Sequence, residues 1–323
     1  MKRSLFIAGC VSFCWWTISL APAQTYPSKS IRFIVPYPAG GATDILARAV
    51  AQKLTDAWNQ AVVVDNRSGA GGIIGTDLIA KSAPDGYTIG LAHAGPLAIN
   101  PSLYKSLPYS PAADFSQITL MGRQENMVVV HPSLPVKSIK ELISLAKKKP
   151  GQVVLGSGGS GTGSHLAAEL FMSMAGAKML HVPYKGNAPS VVALLSGEVQ
   201  VMFPTILTVK PHVDVGRLRA LAVTTEKRVG AMPDLPTIAE AGLPGYESSI
   251  WFGVMGPAGI PSGIVARLNA EIVRILGIPE LKASFVSQGL DIETSTAEAF
   301  AKFVRTEQEK WGKVINAAGI KAQ

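Results

Sequence analysis

Ile31-Arg32-Phe33-Ile34-Val35-Pro36-Tyr37-Pro38-Ala39-Gly40-Gly41, with the patterned stretch that follows it, decides the fold class. The first five residues, rich in β-branched and aromatic side chains, read as a buried strand, and Pro36 to Gly41 as a tight loop. Beyond the loop Ile45, Leu46, Ala49, Val50, Lys53, Leu54 and Ala57 recur in alternating steps of one and three. Apart from the amphipathic Lys53, that is the stripe of a helix laid on a sheet. Ala61 to Asp65 reads as the next strand, Gly69 to Gly72 as a turn opening another helix, and Thr88 to Ala92 as a third strand. Strand, helix, strand, helix, strand predicts a parallel sheet with helices on its faces.

A second run of the same kind begins near Met127. Met127 to Val130 reads as a strand, Ser138 to Lys148 as a helix and Val153 to Leu155 as a strand leading into the loop Gly156 to Gly163. His165 to Ala175 is expected to be helical, Met179 to Val182 a strand and Pro189 to Ser196 a helix, with strands at Val199 to Phe203 and Leu218 to Val223. Trp251 to Met255 reads as a strand returning to the first set, and helices at about 264–276 and 296–316 close the chain. The expected fold class is α/β, each half a mostly parallel sheet flanked by helices, with a strand–glycine loop–helix unit in each.

The chain of 323 residues suits one large domain or two of moderate size. At 47% hydrophobic and 16% charged it is too apolar for a disordered chain, and it has neither a Gly-x-y period nor a sustained heptad. Lys2 and Arg3 precede an apolar run from Leu5 to Leu20, and Ala21-Pro22-Ala23 places small residues where a signal peptidase reads. Residues 1–23 therefore read as a secretory signal cut after Ala23. The run is shorter than the ~20 residues a membrane span needs, and Ile7-Ala8-Gly9-Cys10, which resembles a lipobox, lies too near the start. Both cysteines, Cys10 and Cys14, would leave with the signal, and the formal net charge would fall from +8 to +6. That excludes disulfide, zinc–thiolate and cysteine-nucleophile chemistry in the mature chain. Lys and Arg are scattered, without the basic stripe and stacking aromatics that nucleic acid needs, so the net charge points to small acidic molecules. No later stretch reaches 18 apolar residues. The expected location is the periplasm.

Gly156-Ser157-Gly158-Gly159-Ser160-Gly161 matches the dinucleotide fingerprint after a strand and before a helix. That motif needs an acid ~20 residues on to hold the ribose. No Asp or Glu stands between Glu169 and Glu198, and the Gly-Lys-Ser/Thr of a phosphate loop is absent. An anion reading survives: free N–H groups at a helix start, glycines that let a ligand approach, and the hydroxyls of Ser157, Ser160, Thr162 and Ser164 suit a carboxylate. A capping loop without ligand fits the same residues. Pro38 to Asp44 is the counterpart in the first half, where Thr43 or Asp44 could cap its helix. Neither G-x-S-x-G nor H-E-x-x-H occurs in the mature chain, and His165 with Glu169 is too small a ligand set for a metal. His93, His131 and His181 stand at strand ends, where structural roles are the default. A secreted α/β enzyme using the glycine loop for a nucleotide or acyl anion is the alternative to a binding protein.

Eight stretches, in order, resemble the Bug receptors, the periplasmic solute-binding proteins of tripartite tricarboxylate transporters. They are Ile34 to Gly41 with Asp44 and Ala47-Arg48; Asn66 to Gly72 with Gly75; Pro84 to Thr88; Ala98 to Pro101; Val182 to Gly186; Leu221 to Thr224; Pro236 to Gly242; and Pro257 to Gly259. The resemblance runs from Tyr26 to about Ile320 and implies a two-domain flytrap. Residues 24–123 plus 250–323 would form one domain and 124–249 the other. It further implies a carboxylate-bearing solute held by backbone amides and small hydroxyls. Carried onto this sequence, one loop is Tyr37, Pro38, Ala39, Gly40, Gly41 and Asp44. The other is Ser157, Gly158, Gly159, Ser160, Thr162, Ser164 and His165. His93, Gly95, Phe203, Pro204 and Thr205 would complete the walls. The family often has Met-Phe-Asp where this chain has Met202-Phe203-Pro204, a departure that removes an acidic wall residue and speaks against an amino-acid ligand. No catalytic residue, cofactor or metal is implied; the partners would be a small organic anion and membrane permease subunits, with the receptor a monomer.

Overall fold

The structure is a computed structural model that describes residues 26–40, 42–184, 186–287 and 289–320. The signal-peptide reading of residues 1–23 and the candidate Gly41 lie outside them. In chain order the first part is β1 (Ile31–Val35), α1 (Ala42–Trp58), β2 (Val62–Asn66), α2 (Ile73–Ala80), β3 (Thr88–His93), α3 (Asn100–Leu103) and β4 (Phe115–Gln124). The middle is β5 (Met127–Val130), α4 (Ile139–Lys148), β6 (Val154–Ser157), α5 (Gly163–Ala175), β7 (Leu180–Pro183), α6 (Asn187–Ser196), β8 (Val201–Met202), α7 (Ile206–Asp214) and β9 (Arg219–Val223). The last part is β10 (Ile250–Pro257), α8 (Ser262–Leu276), α9 (Pro279–Ser287), β11 (Leu290–Asp291) and α10 (Ala297–Ala318).

Two sheets result, one ordered β11-β4-β10-β3-β1-β2 and the other β7-β6-β8-β5-β9. The expectation of mostly parallel sheets holds for one side of each, β3-β1-β2 and β7-β6-β8. Antiparallel strands complete them, because the chain crosses between lobes twice. β3 and β6 end at the cleft. A strand arriving from the other lobe starts at that end and must run the opposite way, as β10 does beside β3 and β5 beside β8. Strands leaving for the other lobe run back toward the cleft, as β4 does beside β10 and β9 beside β5.

β10 is buried along all eight residues, as a central strand covered on both faces should be. On α1 the buried face is Leu46, Ala47, Val50, Ala51 and Leu54, whereas Ile45 is 41% exposed. The apolar stripe is therefore rotated by about one residue from the one read in the sequence, which counted Ile45 and missed Ala47. β4, α9 and β11 were not anticipated. α10 starts at Thr296, whose side chain accepts from the Ala299 N–H at 3.1 Å, and its buried face carries Phe300, Val304, Glu307 and Trp311.

Candidate functional site

A cleft of about 510 Å³ lies between the sheets, at the carboxyl ends of β1, β3 and β6. That is where open α/β sheets place ligands, because the loops leaving those ends present backbone N–H groups and helix starts. One wall is the loop after β6. Gly158, Ser160, Thr162 and Ser164 line the cleft, joined by Gly161, Gly163 and Gly186.

This loop is held by its own polar groups. Ser164 Oγ accepts from Gly158 N–H at 3.1 Å, His165 Nδ1 from Gly161 N–H at 3.0 Å, and Gly159 O from the Thr162 hydroxyl at 2.7 Å. Behind the loop the His165 and His181 rings stack with centroids 3.9 Å apart, and Ser157 Oγ lies 2.6 Å from His181 Nε2. Burial, then the His165 ring, depress the pKa of His181 to about 4, so that it stays neutral at physiological pH. Accepting at Nδ1 leaves His165 its Nε2 proton, directed at Glu169 Oε1 3.2 Å away. Among the described residues the N–H groups of Ser160, Gly163 and Ser164 find no acceptor within the protein. Three free donors at the start of a 13-residue helix form an arrangement that suits an anion.

The glycines of this loop have a second purpose. A side chain on Gly161 would come 3.1 Å from Leu103 Cδ1, and one on Gly163 2.6 Å from Ile250 Cδ1. At Gly161 and Gly163 the missing side chain thus permits close approach of Leu103 and Ile250 from the first lobe.

The facing wall comes from the first lobe. Tyr37, His93 and Gly95 line it, with Gly71, Ile99, Asn100, Leu103 and Tyr104. The Tyr37 hydroxyl and the Gly95 N–H both donate to His93 Nδ1 at 2.9 Å. The His93 ring sits between Tyr37 and Phe252, and burial depresses its pKa to about 3. Burial likewise raises the Tyr37 phenol, so both groups are neutral. Pro38, Ala39, Gly40 and Asp44 do not line the cleft. Asp44 accepts from Gly40 N–H at 2.8 Å, Arg48 Nε at 2.9 Å and Asn66 Nδ2 at 3.0 Å. Burial alone would raise its pKa; the bonds from Arg48, Gly40 and Asn66 outweigh it and hold the carboxylate ionised. The anion at the start of α1 is thus the protein's own.

Gln124, Asn126, Thr205 and Ile250 form the hinge side of the cleft. Side chains alternate along the extended crossover, so Glu125, between Gln124 and Asn126, points instead into a second cavity of about 330 Å³. Asn126 is 3% exposed and its Oδ1 has no hydrogen-bond partner. Ser157, Gly159, His165, Phe203 and Pro204 stand behind the lining; Phe203 is fully buried against Phe171, and Pro204 O accepts from Met127 N–H at 3.0 Å. Gly71, Asn100 and Gly186 fall inside stretches that carried the family resemblance, and could have been named from it. Leu103, Tyr104, Gln124 and Asn126 had no such signal. Among the described residues the lining holds no Asp, Glu, Lys or Arg.

Residues 46–320 match the family described as the tripartite tricarboxylate transporter family receptor. The chain is similar to Protein BugT of Bordetella pertussis, 39% identical over 322 residues and 99% of each chain. Among solved structures it is similar to R. palustris Rpa4515 with adipate, at 38% identity and a TM-score of 0.79, over 92% of this chain and 99% of that one. It is also similar to MatC from Rhodopseudomonas palustris with bound malate, at 28% identity and a TM-score of 0.75, over 90% and 100%. An uncharged cleft between two α/β lobes and these similarities lead to one assignment: the chain belongs to the tripartite tricarboxylate transporter receptor family, whose members are periplasmic solute-binding proteins rather than enzymes.

Proposed function

We propose that this chain, after loss of residues 1–23, is a monomeric periplasmic receptor that binds a small organic carboxylate in the cleft and delivers it to permease subunits of a tripartite tricarboxylate-type transporter. The lobes are 24–123 with 250–323, and 124–249. The observation that carries the reading is the set of free N–H groups at Ser160, Gly163 and Ser164, facing a cleft whose described lining has no charged side chain. One carboxylate satisfies all three donors and gains from the α5 dipole. The adipate and malate held by the similar proteins support the ligand class. Carboxylate contacts fall to Ser160, Gly163 and Ser164, with Gly158 and Thr162 lining the loop beside them; Tyr37, His93, Gly95 and Thr205 shape the opposite side. Ser157, Gly159 and His165 position the loop, and Asp44 positions Pro38 to Gly40.

Gentle purification from periplasm followed by mass spectrometry tests this. An organic acid released intact, which rebinds on calorimetric titration, is the expected result. Chemical turnover of the released molecule, or absence of any acid that binds, refutes the receptor.

A further inference from the structure

The two walls of the cleft differ in kind. The loop after β6 offers N–H groups and hydroxyls, whereas Ile99, Leu103, Tyr104 and Ile250 face it from the first lobe. Several first-lobe groups that could have met an anion are already engaged within the protein, although the Tyr104 hydroxyl and the Gly71 N–H find no partner among the described residues. Gly40 N–H bonds to Asp44, Gly95 N–H to His93 Nδ1, and Gly72 N–H to Gly69 O at 3.0 Å. Asn100 Nδ2 is turned toward Gly71 O at 3.3 Å. Toward the hinge, Gln124, Asn126 and Thr205 are neutral.

Such a wall discriminates by what it cannot do. Hydroxyls or further carboxylates pressed against Ile99, Leu103 and Ile250 lose their water and gain neither cation nor free donor there. Methylene or aryl carbon in the same place buries apolar surface, and an aryl ring also has the Tyr104 face to pack on. A fold that held a densely charged solute would require donors across both walls; here the loop after β6 carries most of them, and Ile99, Leu103 and Ile250 make much of the opposite wall.

We propose, resting on the carboxylate-receptor reading, that the ligand is an acid with an apolar alkyl or aryl body lying on Ile99, Leu103, Tyr104 and Ile250, and not a compact hydroxylated or tricarboxylic acid. Hexanoate, adipate and citrate share six carbons and separate the two classes; malate adds the short hydroxy acid. Calorimetry on ligand-free full-length mature protein should give hexanoate or adipate at least about tenfold tighter than citrate and malate. Leu103→Asn should reduce that preference about tenfold, since it removes apolar pocket surface and adds a donor on that wall. Tighter binding of citrate or malate overturns the proposal and leaves the receptor reading standing. Where none of the four binds, the acid recovered from purified protein decides. An apolar body supports the proposal, a hydroxylated or tricarboxylic one overturns it alone, and recovery of no acid overturns both.

Discussion

Glu125 sits where the chain passes from one lobe to the other, with its N–H on Gly289 O and its carbonyl accepting from Ile206 N–H. It is 6% exposed, and burial, then the nearby Asp291, push its pKa from 4.5 up to about 7. Arg123 does not relieve it, being engaged with Glu293 at 2.6 Å. A carboxyl whose folded pKa is raised binds its proton more tightly in the native state. Its contribution to stability is complete below the unfolded pKa and is lost as pH rises through about 7. Glu125→Gln keeps the shape without the titration, so at pH 8 the variant should be more stable than the wild type by on the order of 3 kcal/mol, with the gap closing by pH 4. Urea melts of the pair at both pH values check this. Their difference removes His93 and His181, whose depressed pKa values give the opposite slope below about pH 6.5. An equal gap at both pH values would mean that Glu125 titrates normally. In the ligand loop, Gly159 has φ 132° and a side chain there would lie 3.2 Å from Tyr184 O. Gly159→Val should therefore cost more ligand affinity than Ser160→Ala, which removes a single charge-assisted bond of about 1.5–3 kcal/mol. Equal losses by calorimetry would show that the loop works through its hydroxyls.

At the level of elements, α10 is fixed to β10 by one buried carboxylate. Glu307 Oε2 accepts from the indoles of Trp251 and Trp311, each at 3.1 Å, and Oε1 meets Lys310 Nζ at 2.6 Å. Glu307→Leu strands two indole donors and removes one of the partners of Lys310, so a loss of about 3–5 kcal/mol is expected in denaturant melts. Trp251→Phe removes one donor and should cost clearly less. A Glu307→Leu loss below that of Trp251→Phe would make the network incidental. This contact also marks the limit of sequence reading. The strand–loop–helix units were legible because β1, β3 and β6 are short apolar runs followed by glycine loops, and helices betray themselves by period. β4 was not, since Phe115–Gln124 mixes Ser116, Gln117 and Thr119 with its apolar residues, and its partner β10 lies more than a hundred residues away. Site residues divide the same way. The Gly158–Ser164 loop is local and was read directly, whereas Leu103, Gln124 and Ile250 reach the cleft only through the crossing topology. Asp44 shows the converse. Its residue type suited a binding role, but Asn66, 22 positions on, and Arg48 claim its oxygens.

On the scale of the whole molecule, the ligand must do more than fit: it must favour one arrangement of the lobes. The donors of α5 belong to one lobe and the apolar wall to the other, so an acid that touches both gains contacts only when the lobes approach. Such an approach would turn on the crossovers at Gln124 to Asn126 and at Ile250, which join the two sheets. Hexanoate at saturation should lower the radius of gyration in solution scattering and raise the melting temperature together. Closure also decides which acids are excluded. An ammonium group enclosed in the cleft needs a counter-charge, and the described lining has none, the oxygens of Asp44 being engaged outside it. 6-Aminohexanoate matches hexanoate in length and carries that group at its far end. It should bind at least about tenfold more weakly, a difference of only ~1.4 kcal/mol, and should fail to contract the protein at concentrations where hexanoate does. Contraction by the amino acid at equal affinity, abolished by Asp44→Asn, would mean that Asp44 turns into the closed cleft. The fixed positioning role drawn from its three hydrogen bonds would then be wrong.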